Sequence, residues 1–553
     1  MRSSQNIIVL EEKTFRGRVW EWLHFFRDKF LNQLNGPIAE PLENCNLFID
    51  EVGSELRVKY FLVKYVQSMV GTDANVQVDL LVHSVDFSEG NQPQWNDVKV
   101  VGEFMKTADT NARKAKFLQL STYVRKIFSA QPLRRFIHCF CLFKSYFELW
   151  IFDRTGAYSS GVKSIGSVKE MFVQAISSYL LMSDEELGLD LSTSQVGENG
   201  VVTINGSNED PTMQFKIDPE PIVRPQRLIT RGTTCFETVD KLSVVKYAWT
   251  SVKGSSIIDF LEVALPVRGM VNYLTSDEVY RSSHHLGSLD FTDADAWDLE
   301  TETLIISRAT KLMQPTVSPW DRDLKLIRIA ISLPGRPLKA SKTVLEFLVG
   351  VRDAILGHRR LHDRGILHGD ISEGNVILTL PTARDESKGL LINLDHSVGM
   401  SESLQTDDDQ NLIGTMKFMA LERLYYVSEE KSIIPRTYCH DLESFFYVFL
   451  TGCIEYELVP QSKSYDLQNW CTSKLDKKKK KKASHINNFE KIVLKKFTPS
   501  FVGLKELAKT LRMILFGKYG NDFGTPHDCR PMYYEIIKSF NKTIEQITGK
   551  VYL

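Results

Sequence analysis

The chain has 553 residues, with 68 Lys and Arg against 69 Asp and Glu, 43% apolar residues and 10% aromatics. That length implies two to four packed domains, and the composition excludes a disordered chain. A net charge of −1 excludes a globally basic nucleic-acid binder and selects no partner. Eight cysteines with no CxxC spacing argue against a disulfide framework or a zinc cage. No apolar run approaches the roughly 18 residues of a membrane span, and the first apolar stretch is too short for a signal h-region. The expectation is a soluble intracellular protein, cytoplasmic with nuclear entry open, and no membrane partner.

In chain order, residues 1–14 read as a tail. Val19, Trp20, Leu23, Phe26, Phe30 and Leu34 recur at steps of three and four, which predicts an amphipathic helix over 15–34. A second helix is expected over Leu56–Val70. Asn75–Val85 and Asp97–Met105 are β-branched and partly alternating and predict strands. A helix over Asn111–Ser129, strands FIHCFCLF and YFELWIF, and a helix over Val168–Leu181 complete an α/β domain spanning 15–182. The stretch 183–218, rich in Asp, Glu, Gly, Ser and Asn, reads as a polar linker.

The second block, 219–545, opens with strand character over Arg227–Trp249. Helices follow over Ser255–Ala264 and Thr343–Arg364. Lys477–Lys482 reads as an exposed, solvated loop and a candidate nuclear import signal.

The most informative segment is ILHGDISEGNVILTL, Ile366–Leu380, with a His, an Asp two residues on and an Asn five beyond that. It resembles the protein-kinase catalytic loop HRDLKxxN. Phosphoryl transfer needs a carboxylate beside the incoming hydroxyl and an amide oxygen for a magnesium ion, and one tight loop can supply both. GTMKFMALERL (Gly414–Leu424) resembles the end of an activation segment. HDLESFFYVFL (His440–Leu450) resembles the helix whose first Asp, here Asp441, ties down the catalytic-loop backbone. LITRGTTCFETVDKLSVVKYAW (Leu228–Trp249) resembles a glycine-containing hairpin that leads to the ATP lysine.

Together HGDIS, GTxxFMAxE and HDLESFFYV, with FRGRV, QLSTY and FDRTGAYSSG upstream, resemble the fungal-type protein kinase family over about residues 15–540. The resemblance implies an α+β, two-lobed kinase-like fold behind an α/β N-terminal domain, with a small lobe over about 219–335 and a large lobe over about 336–545. It implies ATP and Mg2+ as cofactors, an unknown protein substrate, and a serine/threonine kinase. Asp370 would act on the substrate hydroxyl and Lys246 on the α- and β-phosphates, paired with Glu262 (Asp259 is the other candidate) under a loop containing Gly232. Asn375 would be a metal ligand.

Three departures stand out. Asn393 occupies the magnesium Asp position of GLLINLDHSVGM, so the charge there is lost, and Asp395, two residues on in an extended strand and about 6.6 Å away, is the candidate substitute. Gly369 stands where many kinases have Arg, which leaves no clamp for phosphorylation at Ser401, Ser403 or Thr406. Gly232 is the only glycine of Arg231–Ser243. A pseudokinase scaffold is therefore the alternative. A weaker one is a nuclease-like, nucleic-acid-associated protein: Asp79, Glu103, Gln119 and Tyr123 resemble a PD-(D/E)xK core with a QxxxY helix. Met105 stands where its lysine belongs, Lys106 falls one place late, and a nucleic-acid partner is not expected.

Overall fold

The computed structural model describes residues 60–64, 80–84, 94–105, 110–143, most of 146–282, 324–332, 335–379, 387–400, 415–428, 435–456, 475–518 and 528–549. The expected helix over 15–34 and the three candidate phosphorylation sites lie outside the described residues, as does most of the expected helix over 168–181. The chain divides into two compact units. The first comprises 1–239, 244–253 and 275–330, and the second 240–243, 254–274 and 331–553.

The first unit is built on a seven-stranded sheet in the order β1-β2-β3-β4-β5-β6, with β7 pairing β5. The strands are β1 Tyr60–Lys64, β2 Leu80–Ser84, β3 Val98–Met105, β4 Ile137–Phe143, β5 Tyr146–Phe152, β6 Ala157–Ser159 and β7 Lys163–Ser164. Strands β3 and β4 are parallel and joined through helix α1, Thr110–Ala130. The helix buries Phe117, Leu120, Val124, Ile127 and Phe128, spaced at helical repeat, against inward strand residues such as Val101 and Trp150.

Two expectations fail here. The predicted helix over Leu56–Val70 contains strand β1, paired antiparallel with β2 from Tyr60↔Ser84 to Lys64↔Leu80. Its aromatic and β-branched run suits a pleated surface, and strand pairing overrides the local helical period. The segment read as a linker folds as a three-stranded antiparallel sheet, β8 Thr193–Val196, β9 Asn199–Ile204 and β10 Met213–Ile217. The sparse apolar residues Val202, Ile204, Phe215 and Ile217 are buried, so strict alternation outweighs polar composition.

A further sheet has the order β11-β12-β14-β13, from Thr234–Glu237, Ser243–Ser251, Asn272–Arg281 and Leu324–Ser332, with β13 and β14 numbered in chain order.

The second unit is mainly helical. Helix α2 is Ile257–Ala264 and α3 is Val344–His362. Thr343 caps α3 by accepting from Glu346 N–H at 3.1 Å, and Arg359, Arg360 and His362 in its last turn oppose the negative end of its dipole. A three-stranded antiparallel sheet of β15 (Gly335–Pro337), β17 (Val376–Thr379) and β18 (Gly389–Leu391) and an antiparallel pair of β16 (Ile366–Leu367) with β19 (Val398–Gly399) follow. A Cβ on Gly389 would lie 1.9 Å from the Gly350 carbonyl oxygen, so only glycine lets β18 approach α3 this closely. Helices α4 (Leu421–Ser428), α5 (Tyr438–Glu455), α6 (Leu475–Asn487), α7 (Lys505–Met513) and α8 (Arg530–Thr548) complete the unit.

Helix α6 contains the hexalysine run and replaces the expected loop. Lys479 and Lys482, three residues apart on one face, are buried, whereas Lys480 and Lys481 are exposed. A lysine stem is apolar, and both ammonium groups find ring faces: Lys479 over Tyr425 and Lys482 over Tyr447. Among the described residues no helix is long and apolar enough to cross a membrane.

Candidate active site

Two strand pairs, β17 with β18 and β16 with β19, bring the catalytic-loop and metal-segment residues together. Residues 368–375 connect β16 to β17, and residues 392–397 connect β18 to β19, so each loop leaves one pair and enters the other. Ile392 N–H donates to Asn375 O at 3.0 Å, which ties the loops at their bases.

Asp370 is buried, and both carboxylate oxygens are occupied. Thr415 donates to Oδ1 from its backbone N–H at 2.7 Å and from its hydroxyl at 2.8 Å. Asn375 Nδ2 donates to Oδ2 at 3.2 Å and to the Asp370 carbonyl at 2.7 Å. These bonds fix the Asn375 amide with its Oδ1 turned outward, and Asn393 Nδ2 donates to that oxygen at 3.2 Å. Gly369, Asp370, Thr415, Phe418, Met419 and Arg436 line a cleft at this point.

Beneath the loop lies a buried polar chain. Asp441, in the first turn of α5, accepts at Oδ2 from His368 N–H and Gly369 N–H, both at 3.1 Å, and from His358 Nε2 at 2.8 Å. Tyr533 from α8 lies 2.6 Å from His358 Nδ1. The Asp441 carboxylate can only accept, which assigns a proton to His358 Nε2, and burial pushes the Tyr533 hydroxyl well up, so it stays protonated and can donate to Nδ1. Burial alone would raise the Asp441 carboxyl, but the hydrogen bond and electrostatic influence of His358, then those of His368 and the Gly369 N–H, together hold it down at about 2. Burial pulls His368 down and keeps its ring neutral. Its Nε2–H then donates to Ile392 O at 3.0 Å, and Nδ1 accepts from Asp370 N–H at 3.3 Å.

Gly369 corrects an expectation. Its φ is +76°, and a Cβ there would lie 2.3 Å from Arg436 Nη1 and 2.5 Å from His396 O. A guanidinium therefore does sit against Gly369. It comes from Arg436, just before α5, which donates to His396 O at 2.6 Å. Arg423 also lines the cleft, and burial followed by the charge of Arg436 lowers it to about 9.

Asp395 does not follow the extended-strand expectation. Asn393 has φ 72° and ψ 77°, and Leu394–His396 form a 3-10 turn in which Asp395 is buried. The two-residue periodicity of a strand therefore does not apply. Asn tolerates this left-handed backbone better than most residues, so position 393 keeps its geometry while losing its charge. The buried face of α2, including Phe260 and Leu261, packs against this turn, whereas Asp259 and Glu262 are exposed.

Lys246 belongs to the other unit, buried on β12 opposite Cys235. Gly232 lies in the same unit with φ +56°, and a Cβ there would meet Arg154 Nε at 2.9 Å and Trp249 Cδ1 at 3.1 Å. Packing against those two side chains accounts for this glycine.

The description of the family model that matches residues 77–453 is fungal protein kinase. The chain belongs to that family. Membership brings a kinase-like fold and protein kinase function at the level of the family. No curated protein matches the chain. Among solved structures, vaccinia related kinase 3 aligns at TM-score 0.38 and 11% identity, covering 64% of this chain and 92% of that one.

Membership also implies ATP and a divalent cation. The residues that the motif resemblance assigns to the metal do not fit a cation held by the protein. Asn375 and Asn393 are neutral amides hydrogen-bonded to each other, with the Nδ2 of Asn393 directed at the oxygen a cation would need. Among the described residues no group of three or more His, Cys, Asp or Glu is placed to hold a metal.

The structure also brings together part of the nuclease-like set. On fully buried Glu103, Gln119 Nε2 donates to Oε1 at 3.1 Å and Lys116 pairs with Oε2, while Gln119 also bonds Tyr123. The lysine comes from the helix. An ion pair with donors on both oxygens suits a strut between β3 and α1. Asp79 and Lys106 lie outside the described residues.

Sequence reading missed Thr415 as an Asp370 partner, His358 and Tyr533 beneath Asp441, and Arg436. Thr415 sits inside the quoted GTMKFMALERL and was findable. His358 and Tyr533 lie 83 and 175 residues from their partners, and Arg436, 67 positions from Gly369, carries no motif.

Proposed function

We propose that this chain transfers the γ-phosphoryl group of ATP to a serine or threonine hydroxyl of a protein. The observation that carries the reading is the Asp370 carboxylate at the cleft wall, locked by Thr415 on one oxygen and Asn375 on the other. Such a fixed acceptor orients a hydroxyl at almost no reorganisation cost. The hydroxyl oxygen forms the new bond to the γ-phosphorus and the bond to the β–γ bridging oxygen breaks. ADP leaves, and the proton passes to Asp370 and then to solvent. Lys246 is proposed to bind the nucleotide phosphates, with Glu262 as its carboxylate partner and Gly232 in the loop over the nucleotide. The experiment is label transfer from ATP to a generic protein acceptor, by wild type and by Asp370→Ala. Transfer lost in the variant supports the reading, whereas equal transfer by both overturns it.

A second reading, an interaction scaffold without turnover, is favoured by the neutral Asn375–Asn393 pair. It predicts neither label transfer nor thermal stabilisation by ATP with magnesium.

A further inference from the structure

Lys482 is fully buried, and its ammonium is saturated. It donates to Met419 O at 2.6 Å and to Lys417 O at 3.0 Å, and it lies 3.5 Å from the centroid of the Tyr447 ring. Glu443 stands beside it and accepts from Leu421 N–H at 2.7 Å and from the Tyr447 hydroxyl. Burial raises the Glu443 carboxyl, and the charge of Lys482 is among the influences that oppose the rise.

The segment Thr415–Leu421 is thus held at both ends and from behind. Asp370 holds Thr415, Lys482 holds the carbonyls of Lys417 and Met419, and Glu443 holds the Leu421 amide. Thr415, Phe418, Met419 and Ala420 also line the cleft beside Asp370. A wall made of irregular backbone has no ladder to stiffen it, and its carbonyls are costly to bury without donors.

We propose that Lys482 is a positioning residue for the polypeptide acceptor: it fixes the Lys417–Met419 backbone that an acceptor must lie against to reach Asp370. The inference rests on the phosphotransfer reading. It gives the hexalysine helix a task that charge and composition conceal, since one face of the run is structural and the other solvated.

The test compares wild type with Lys482→Met, which keeps the stem and removes the donors, Lys482→Arg, which keeps the charge, and Lys480→Met on the exposed face. The first readout is amide hydrogen exchange. In Lys482→Met, residues 417–421 are expected to exchange about tenfold or more faster, with α5 unchanged and Lys480→Met like wild type. The second is steady-state kinetics. KM for the protein acceptor rises about tenfold while KM for ATP stays fixed, and Lys482→Arg recovers part of the loss. Unchanged exchange at 417–421 and unchanged acceptor KM in Lys482→Met overturn the proposal. If that variant does not fold, Lys482→Gln is read by the same two criteria. Absence of label transfer in wild type would sink the phosphotransfer reading alone, because exchange still decides what Lys482 holds.

Discussion

The side-chain amide of Asn393 donates to the amide oxygen of Asn375 across 3.2 Å, at the two positions that the motif resemblance implies as metal ligands. Asn375 cannot turn away, because its Nδ2 is committed to Asp370. Asn393→Asp is therefore expected to raise the single-turnover rate with ATP and magnesium by about tenfold or more, since a carboxylate supplies charge that an amide cannot. Rates equal within error would show that the metal site does not limit turnover.

Thr415 contacts Asp370 through both its N–H and its hydroxyl. Thr415→Val keeps the first and removes the second. The expected result is a kcat lower by about tenfold with stability lower by about 1.5–3 kcal/mol, as for one hydrogen bond to a charged acceptor. Thermal unfolding alongside initial rates separates the two effects.

Asp441 ties the catalytic loop to α5 and, through His358, to Tyr533. Its folded-state pKa of about 2 lies below the ordinary 3.8, so it contributes stability that is fully present above pH 4 and lost as pH falls through 2. That contribution is about 2 kcal/mol. Asp441→Asn should flatten the fall in stability between pH 4 and 2 measured by denaturant titration, and an unchanged slope would contradict the assignment.

Tyr533→Phe leaves His358 Nδ1 buried without its donor. A loss of about 1–3 kcal/mol is expected, with no new pH dependence below pH 4.

Gly369→Ala forces a Cβ to within 2.3 Å of Arg436 Nη1 at a φ of +76°. Left-handed strain of about 1–2 kcal/mol adds to the displacement of Arg436, and the unfolding temperature should fall by several degrees. Gly365→Ala is the matched comparison, because its φ is +79° with nothing within 4 Å of the added carbon. Both variants carry the left-handed strain, and a larger drop in Gly369→Ala assigns the excess to the contacts with Arg436 Nη1 and His396 O.

The segments Ile366–Leu380, Gly414–Leu424 and His440–Leu450 were legible as motifs from residues alone, because short motifs encode local geometry. Asp370 and Asn375 share one turn, and their contact follows from a spacing of five. Regular elements with full periodicity, such as α1 and α3, were equally legible. What tertiary structure alone decided lies where a distant partner changes the meaning of a residue. Strand pairing turned the predicted helix around residue 60 into β1, and four buried apolar residues turned a polar linker into a sheet. The empty side of Gly369 was filled by Arg436, 67 positions on, and Lys479 and Lys482 became interior groups because ring faces and carbonyls awaited them. Composition fixes how a chain interacts with water, but the cost of burying a charge or a backbone carbonyl depends on which partner the fold brings within 3 Å, and that is a property of three dimensions.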